Sequence, residues 1–208
     1  MIAVIDYGVG NLRSVEKAFH YIGSEAVVTS DKEIILKADG VVLPGVGAFA
    51  DAMDSLRKVQ MVDTVKSIAK SDKPFLGICL GMQLLFDYSE EGGEKVEGLG
   101  VLRGSIRQLP ADMKLKVPHM GWNSIKVPGD SQLFKGLPQN PYVYFVHSYY
   151  LTAEDRSVVA ATTDYGIEFD VAVAQGKTFA TQFHPEKSGE IGLQILKNFV
   201  EVVNQPAD

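Results

Sequence analysis

The chain has 208 residues and a formal charge of −6 at pH 7, with 46% apolar and 22% charged residues. This length suits one large domain with a substantial core, and the acidic balance without a long basic run argues against nucleic acid as the main partner. A single cysteine excludes an internal disulfide framework and is typical of a reducing compartment. The first six residues lack a signal-peptide pattern and no segment is long enough to span a bilayer, so we expect a cytoplasmic protein without membrane contact.

Strand and helix patterns alternate through the first half of the chain. Short β-branched or apolar runs predict strands, and the stretches between them have the apolar spacing of helices. Such alternation predicts a parallel sheet covered by helices on both faces. The strands are expected at 3–5, 26–28, 41–43 and 75–78, and the helices near 11–22, around 34–36, between 47 and 70, and at 80–86.

The second half is dominated by strand-like runs separated by turn residues. The gaps between them are too short for crossover helices, so several should pair antiparallel. No linker or repeat indicates a second domain, and the sequence predicts one α/β domain over 1–208 with a mixed, mostly parallel central sheet. The runs lie at 101–107, 142–150, 158–162, 171–174 and 178–183, before a final helix at about 191–203.

The single cysteine, Cys79, lies where a predicted strand turns into a predicted helix. Gly77 and Gly81 flank it, which is the G-x-nucleophile-x-G elbow with sulfur in place of a serine oxygen. Glycines permit the close backbone approach of such a turn, and a helix N-terminus favours a thiolate. The alternative is a small apolar core residue, the usual position of a free cysteine.

A second candidate group is His184-Pro-Glu186. On an extended backbone the side chains at i and i+2 share a face, so Glu186 could hold the imidazole of His184, and Pro185 favours that extension. The carboxylate would then fix the tautomer of the histidine and stabilise its imidazolium form. The alternative is an ordinary surface turn, but a cysteine elbow upstream favours a thiol acyl-transfer triad.

Such chemistry also needs donors for a developing oxyanion. The backbone N–H of Leu80, directly after the nucleophile, is one candidate. The segment 44–47, which contains Gly45 and Val46, is another because it ends a parallel strand, where α/β sheets bind ligands. A glycine-rich turn without function is equally compatible with the segment.

These motifs resemble the triad, or class I, glutamine amidotransferases. The segment GICLGMQ at 77–83 and HPE at 184–186 carry the superfamily resemblance, which runs over essentially the whole chain. The segments PHMGW at 118–122, HPEKS at 184–188 and DYGVGN at 6–11 are similar to the glutaminase subunits of imidazole glycerol phosphate synthase in histidine biosynthesis. The resemblance implies a flavodoxin-like fold and no metal or cofactor. It also implies hydrolysis of glutamine through a thioester on Cys79, with His184 and Glu186 as partners and Gly45, Val46 and Leu80 around the oxyanion.

The resemblance further implies a substrate pocket and a partner. Gln83, Glu91, Ser148 and Tyr149 match positions that contact glutamine. The partner is a (β/α)₈-barrel synthase on a separate chain, since this chain ends soon after its last predicted helix. The positions that match the barrel interface are Asn11, His119, Trp122, Tyr144 and Lys187, with Trp122 expected in a glycine-rich loop.

Two alternatives stay open at this point. One is another enzyme of the superfamily, such as the glutaminase of pyridoxal phosphate, anthranilate or aminodeoxychorismate synthesis. The other is a catalytically silent subunit that regulates a barrel enzyme. The pair Gly8 and Gly10 predicts a tight turn rather than a dinucleotide site, because Arg13 stands where a third glycine would be needed.

Overall fold

A computed structural model of the chain describes residues 1–110 and 115–205. Its helices are α1 (Leu12–Tyr21), α2 (Lys32–Lys37), α3 (Phe49–Lys58), α4 (Val62–Ala69), α5 (Leu80–Gln83) and α6 (Gly189–Val203). The strands are β1 (Ile2–Ile5), β2 (Ala26–Thr29), β3 (Gly40–Gly45), β4 (Phe75–Cys79), β5 (Tyr88–Ser89), β6 (Val96–Glu97), β7 (Gly104–Gln108), β8 (His119–Ser124), β9 (Tyr142–His147), β10 (Tyr149–Ala153), β11 (Val159–Asp164), β12 (Glu168–Gln175) and β13 (Thr178–Thr181).

The central sheet has a parallel part and a largely antiparallel part. Strands β2, β1, β3, β4 and β13 lie side by side in that order, and all four pairs are parallel. Antiparallel pairing continues from β13 through β12 and β10 to β7, and β11 pairs with β12. Strands β8 and β9 form a separate antiparallel hairpin. The predicted single α/β sheet with antiparallel strands in the second half is therefore confirmed.

Side chains that alternate along β1 enter two cores, one on each face of the sheet. Ala3 and Ile5 pack into a cluster that also contains buried residues of α2, α3 and α4. Ile2 and Val4 pack into the opposite cluster, which contains buried residues of α1 and α6. Helices therefore cover both faces, as the period-two alternation of a strand requires when each face is apolar. Within residues 1–110 and 115–205, no helix is both long and apolar enough to cross a membrane.

Three local predictions differ from the structure. The helix after Cys79 ends at Gln83 rather than at residue 86, because the carbonyls of Leu84, Leu85 and Phe86 accept hydrogen bonds from N–H groups of 99–102 instead of continuing the helix. The run 142–150 is two strands, since β9 pairs with β8 while β10 joins the main sheet beside β7. The segment around Trp122 is strand β8 rather than a loop.

The topology brings three strand ends together. Gly45 at the end of β3 is the register partner of Cys79 at the end of β4, and Thr181 of β13 pairs with Ile78 on the other side. Residues directly after β13 therefore lie beside the turn that follows β4. This is the carboxyl edge of the sheet, where parallel α/β folds place their sites.

Candidate active site

Cys79 occupies a strained elbow between β4 and α5. Its φ of 55° and ψ of −111° lie outside the regions that L-residues normally adopt. A Cβ on Gly81 would stand 1.8 Å from the carbonyl oxygen of Leu43, and one on Gly77 would stand 2.9 Å from the carbonyl oxygen of Gly81. Gly77 is thus required by a backbone contact within the turn, and Gly81 by the close approach of β3. The helix that follows is only one turn long, so the groups that act on the sulfur have to come from elsewhere in the fold.

His184 and Glu186 form a buried pair. Nδ1 of His184 lies 2.7 Å from Oε1 of Glu186, and their side chains are 2% and 1% exposed. His184 itself is extended (φ −100°, ψ 99°), but Pro185–Lys187 is a 3₁₀ turn, so the expectation of an extended backbone through Glu186 was wrong. The turn still folds the carboxylate back onto the imidazole, because i and i+2 come close in a 3₁₀ turn that follows an extended residue.

Strand β9 fixes the position of this pair. The N–H of His184 donates to the carbonyl of Tyr144, whose own N–H donates to Oγ of Ser188. The hydroxyl of Ser188 donates to the carbonyl of His184 at 2.6 Å. The three bonds close a ring that ties the HPEKS segment to the hairpin, so the imidazole is held by backbone contacts on both sides.

The electrostatics favour a charged imidazole next to the sulfur. Burial lowers the pKa of His184, but the adjacent Cys79 sulfur and the hydrogen-bonded Glu186 carboxylate, with their negative charges, outweigh it, and the pKa rises to about 10. Nε2 of His184 is buried and has no hydrogen-bond partner among the described residues, so it is available to a reacting group in the cavity. The pair can therefore hold a proton on His184 while Cys79 provides a nucleophilic sulfur.

Cys79 and His184 open into one cavity of about 420 Å³. Of the residues predicted to contact the oxyanion or glutamine, Val46, Leu80, Gln83, Glu91, Ser148 and Tyr149 all line it. Gly45 lies beside Cys79 in the sheet but is not among the lining residues. A Cβ on Gly45 would stand 2.7 Å from the hydroxyl oxygen of Tyr7 and 2.9 Å from Cβ of Leu80, so the end of β3 packs directly on the elbow.

Glu91 has a contact that the sequence did not indicate. Its Oε2 accepts the N–H of Phe49, the first residue of α3, at 2.7 Å. A carboxylate at a helix N-terminus satisfies an otherwise unpaired donor. Glu91 therefore anchors its loop to α3 at the rim of the cavity.

Four residues that the sequence did not assign to the site also surround it. Nε2 of Gln182 lies 3.6 Å from Sγ of Cys79, and its Oε1 accepts from Gln83 at 2.8 Å. The Tyr7 hydroxyl donates to the carbonyl of Pro44, and burial first, then the charge of Cys79, raises the pKa of Tyr7. Val146 and His147 line the cavity. Of these four, only Gln182 could have been suspected from the sequence, because it lies two residues before His184.

The predicted interface residues differ in how far their side chains are exposed. Trp122 is 56% exposed and packs edge-on against Tyr144, with ring centroids 6.1 Å apart. Lys187 is exposed, and Asn11 is half-buried at the start of α1. His119 differs: it is only 2% exposed and stacks on Tyr165.

Comparison with known proteins identifies the family of the chain. The family model for glutamine amidotransferase class-I matches residues 3–203. The imidazole glycerol phosphate synthase subunit HisH of Bacillus cereus is 54% identical over 98% of this chain and 95% of its own length. The subunit of the same name from Moorella thermoacetica is 52% identical over 97% of this chain and 95% of its own.

Solved structures support the fold independently. A crystal structure of a glutamine amidotransferase superposes with a TM-score of 0.76 at 21% identity, over 99% of this chain and 100% of that one. At this identity the likeness concerns the fold alone. The family match and the sequence relatives carry the assignment: the chain belongs to the class I glutamine amidotransferases and, within them, to the HisH subunits of imidazole glycerol phosphate synthase.

Proposed function

We propose that this chain hydrolyses glutamine to glutamate and ammonia and delivers the ammonia to a (β/α)₈-barrel synthase subunit in histidine biosynthesis. One observation carries the proposal: the sulfur at the strained elbow and the buried His184–Glu186 pair open into the same cavity. The high identity to HisH subunits supports the choice of this pathway over other members of the superfamily.

The reaction follows from the charges in the cavity. The thiolate of Cys79 attacks the side-chain carboxamide carbon of glutamine, and the oxygen that becomes negative faces the N–H of Leu80 and the backbone at Gly45–Val46. When the C–N bond breaks, His184 gives its proton to the departing ammonia, and a glutamyl thioester remains on Cys79. Water then loses a proton to the neutral His184 and attacks the thioester. The C–S bond breaks, glutamate leaves, and the thiolate–imidazolium pair is restored.

Glu186 acts on His184 rather than on the substrate. It accepts from Nδ1, so the other nitrogen, Nε2, is the one available to the reacting atoms. A fixed tautomer and a stabilised imidazolium are what a third triad member contributes.

The α-ammonium end of a bound glutamine would lie against the part of the cavity wall that contains Gln83 and Glu91. Nε2 of Gln83 is already bonded to Gln182 and to the carbonyl of Tyr149, so its Oε1 is the group that can accept from a substrate ammonium. The carboxylate of Glu91 at the rim supplies negative charge for the same group. Ser148 and Tyr149 also line the cavity.

The partner docks at the mouth of this cavity. Large apolar side chains are exposed on the segment leading into β8 and on β8 itself: Val117 at 40%, Met120 at 65% and Trp122 at 56%. Val46 is also 40% exposed and lines the cavity. Asn11, Tyr144 and Lys187 extend this docking surface with polar groups.

Ammonia released beneath the partner would reach the synthase without passing through bulk water, and the barrel would form imidazole glycerol phosphate and an aminoimidazole carboxamide ribotide. We place the complex in the cytoplasm, which a single unpaired cysteine suits.

The test replaces Cys79 with alanine. The variant should lose glutamine hydrolysis in the presence of the cognate barrel and its ribonucleotide ligand, while it still binds the barrel and supports synthesis from added ammonia. Hydrolysis at the wild-type rate by Cys79→Ala would refute the nucleophile. A wild-type chain that binds the barrel and hydrolyses no glutamine would instead identify a silent regulatory subunit.

A further inference from the structure

A buried amide lies directly behind the nucleophile, outside the cavity. Gln182 has no exposed surface, and its Nε2 is 3.6 Å from Sγ of Cys79. It is not among the residues that line the cavity. Gln182 therefore contacts the sulfur from the protein side, where glutamine cannot reach it.

The orientation of this amide follows from its neighbours. The carbonyl of Tyr149 can only accept, so the Gln83 atom 3.2 Å away is its nitrogen. The same nitrogen donates its second hydrogen to Gln182 at 2.8 Å, so the Gln182 atom at that contact is the oxygen. The nitrogen of Gln182 then has to face the sulfur.

The carbonyl of Tyr149, which fixes the orientation of both glutamine amides, also accepts from His147. This second donor begins a chain of uncharged hydrogen-bonding groups. Nδ1 of His147 donates to Tyr149 O at 2.8 Å, and its Nε2 accepts from Nδ1 of His119 at 2.9 Å. Nε2 of His119 in turn accepts from the amide of Asn123 at 3.3 Å. Each group in the chain has one possible tautomer or amide orientation that satisfies both of its contacts. The network runs from strand β8 to the back of the nucleophile.

We propose that Gln182 is a hydrogen-bond donor to the Cys79 thiolate, held in the donating orientation by the network of Gln83, Tyr149, His147 and His119. The proposal rests on the proposed function, in which that thiolate is the nucleophile. A neutral N–H stabilises negative charge on sulfur and leaves His184 free to transfer protons. It also restrains the sulfur on the side opposite the substrate, so the thiolate keeps its direction towards the cavity.

The test compares Gln182→Met with the wild-type chain in alkylation by iodoacetamide between pH 5 and 9. The chain has one cysteine, so the rate reports on Cys79 alone. Methionine keeps the length of the side chain and removes the donor. We expect the midpoint of the pH profile to rise by about one unit, and alkylation to slow about tenfold at pH values below the wild-type midpoint, as for the loss of one hydrogen bond to a charged group.

The control is Asn198→Leu, at another buried amide. Nδ2 of Asn198 donates to the carbonyls of Leu133 and Lys135 at 2.9 Å each, and its Oδ1 accepts from Gln194, so its hydrogen bonds involve no residue of the elbow. It should leave the alkylation profile unchanged, which separates loss of a buried amide in general from loss of the donor to sulfur. In the complex with the barrel, Gln182→Met should lower kcat for glutamine about tenfold with little change in KM, because Gln182 does not line the cavity. Alkylation by Gln182→Met at the wild-type rate and midpoint would overturn the proposal.

A measurement on unaltered Gln182 covers the case in which Gln182→Met does not fold. In isotope-labelled wild-type protein, the side-chain amide protons of Gln182 should shift with pH as the thiol titrates, and in Cys79→Ala that dependence should disappear. Amide shifts with the same pH dependence in both proteins would overturn the proposal. Neither the alkylation rate nor the amide shifts require turnover. If Cys79→Ala retained glutaminase activity, the proposed function would fail. The two measurements would still decide whether Gln182 donates to the thiolate.

Discussion

Acid should destabilise this fold through two buried imidazoles, His119 and His147. Burial is the main cause that lowers the pKa of His119 to about 4 and that of His147 to about 3. Both are neutral in the folded chain, whereas in the unfolded chain each takes up a proton near pH 6.5. A group with a depressed pKa contributes its stability above the unfolded value and loses it as the pH falls towards the folded one.

The size of the effect follows from these values. Between pH 7 and pH 5 each of the two histidines lowers the free energy of unfolding by about 1.9 kcal/mol. His184, with a pKa raised to about 10, acts in the opposite direction, since it is protonated in the fold throughout this range while the unfolded chain gains its proton below 6.5. It restores about 0.8 kcal/mol, so the net loss is about 3 kcal/mol, a large share of the stability of an ordinary domain.

Urea denaturation at pH 7 and pH 5 measures this loss. The variant His147→Asn keeps a side-chain amide that can donate to the carbonyl of Tyr149 but cannot take up the proton, so its loss between the two pH values should be smaller by about 2 kcal/mol. His20→Asn, at an exposed histidine, is the matched control. An equal loss of stability in the wild type and in His147→Asn would refute the reasoning, whatever the absolute stability of the variant.

Three further predictions concern the elbow, the core and the docking surface. Gly81→Ala should cost more than about 3 kcal/mol in thermal or urea unfolding because its Cβ would overlap the Leu43 carbonyl, whereas Gly129→Ala, with open space around it, should be tolerated. Arg156→Met should cost about 2 kcal/mol in urea unfolding, since the Asp170 side chain is only 4% exposed and Arg156 bonds both of its oxygens; an unchanged midpoint would contradict this. Trp122→Ala should weaken binding of the barrel about tenfold in a titration, and Tyr21→Ala, exposed on α1, should not.

The elbow shows how far local sequence goes. A short strand, a cysteine between two glycines and a helical pattern indicate the turn at Cys79, and the clash that excludes a side chain at 77 is with Gly81 in the same turn. The clash that excludes a side chain at 81 is with the carbonyl of Leu43 on β3, so that glycine is required by the tertiary structure. The contact of His184 with Glu186 lies within three residues, although the sequence predicted the wrong backbone conformation for it. Motifs of this kind can be recognised before the fold is known.

His119 and Trp122 show where sequence reasoning stops. Both belong to one motif, PHMGW, and both were expected at an interface. Pairing of β8 with β9 and stacking on Tyr165 bury His119, while Trp122 on the same strand stays exposed. Which residue of a strand faces inward depends on the surface that covers it, and that surface comes from elements more than 20 residues away.

The sequence by itself determined the alternating strands and helices, the glycine-flanked cysteine and the adjacent His–Glu pair, because each is a pattern of residue types and spacings over a few residues. Only the tertiary structure decided that β13 lies beside β4, so that a thiol and an imidazole 105 positions apart share a cavity. It also decided the orientation of the Gln182 amide, since that depends on which atoms of Tyr149, Gln83 and Cys79 meet in space. Hydrogen-bond direction is set by neighbours in three dimensions, and no local pattern encodes it.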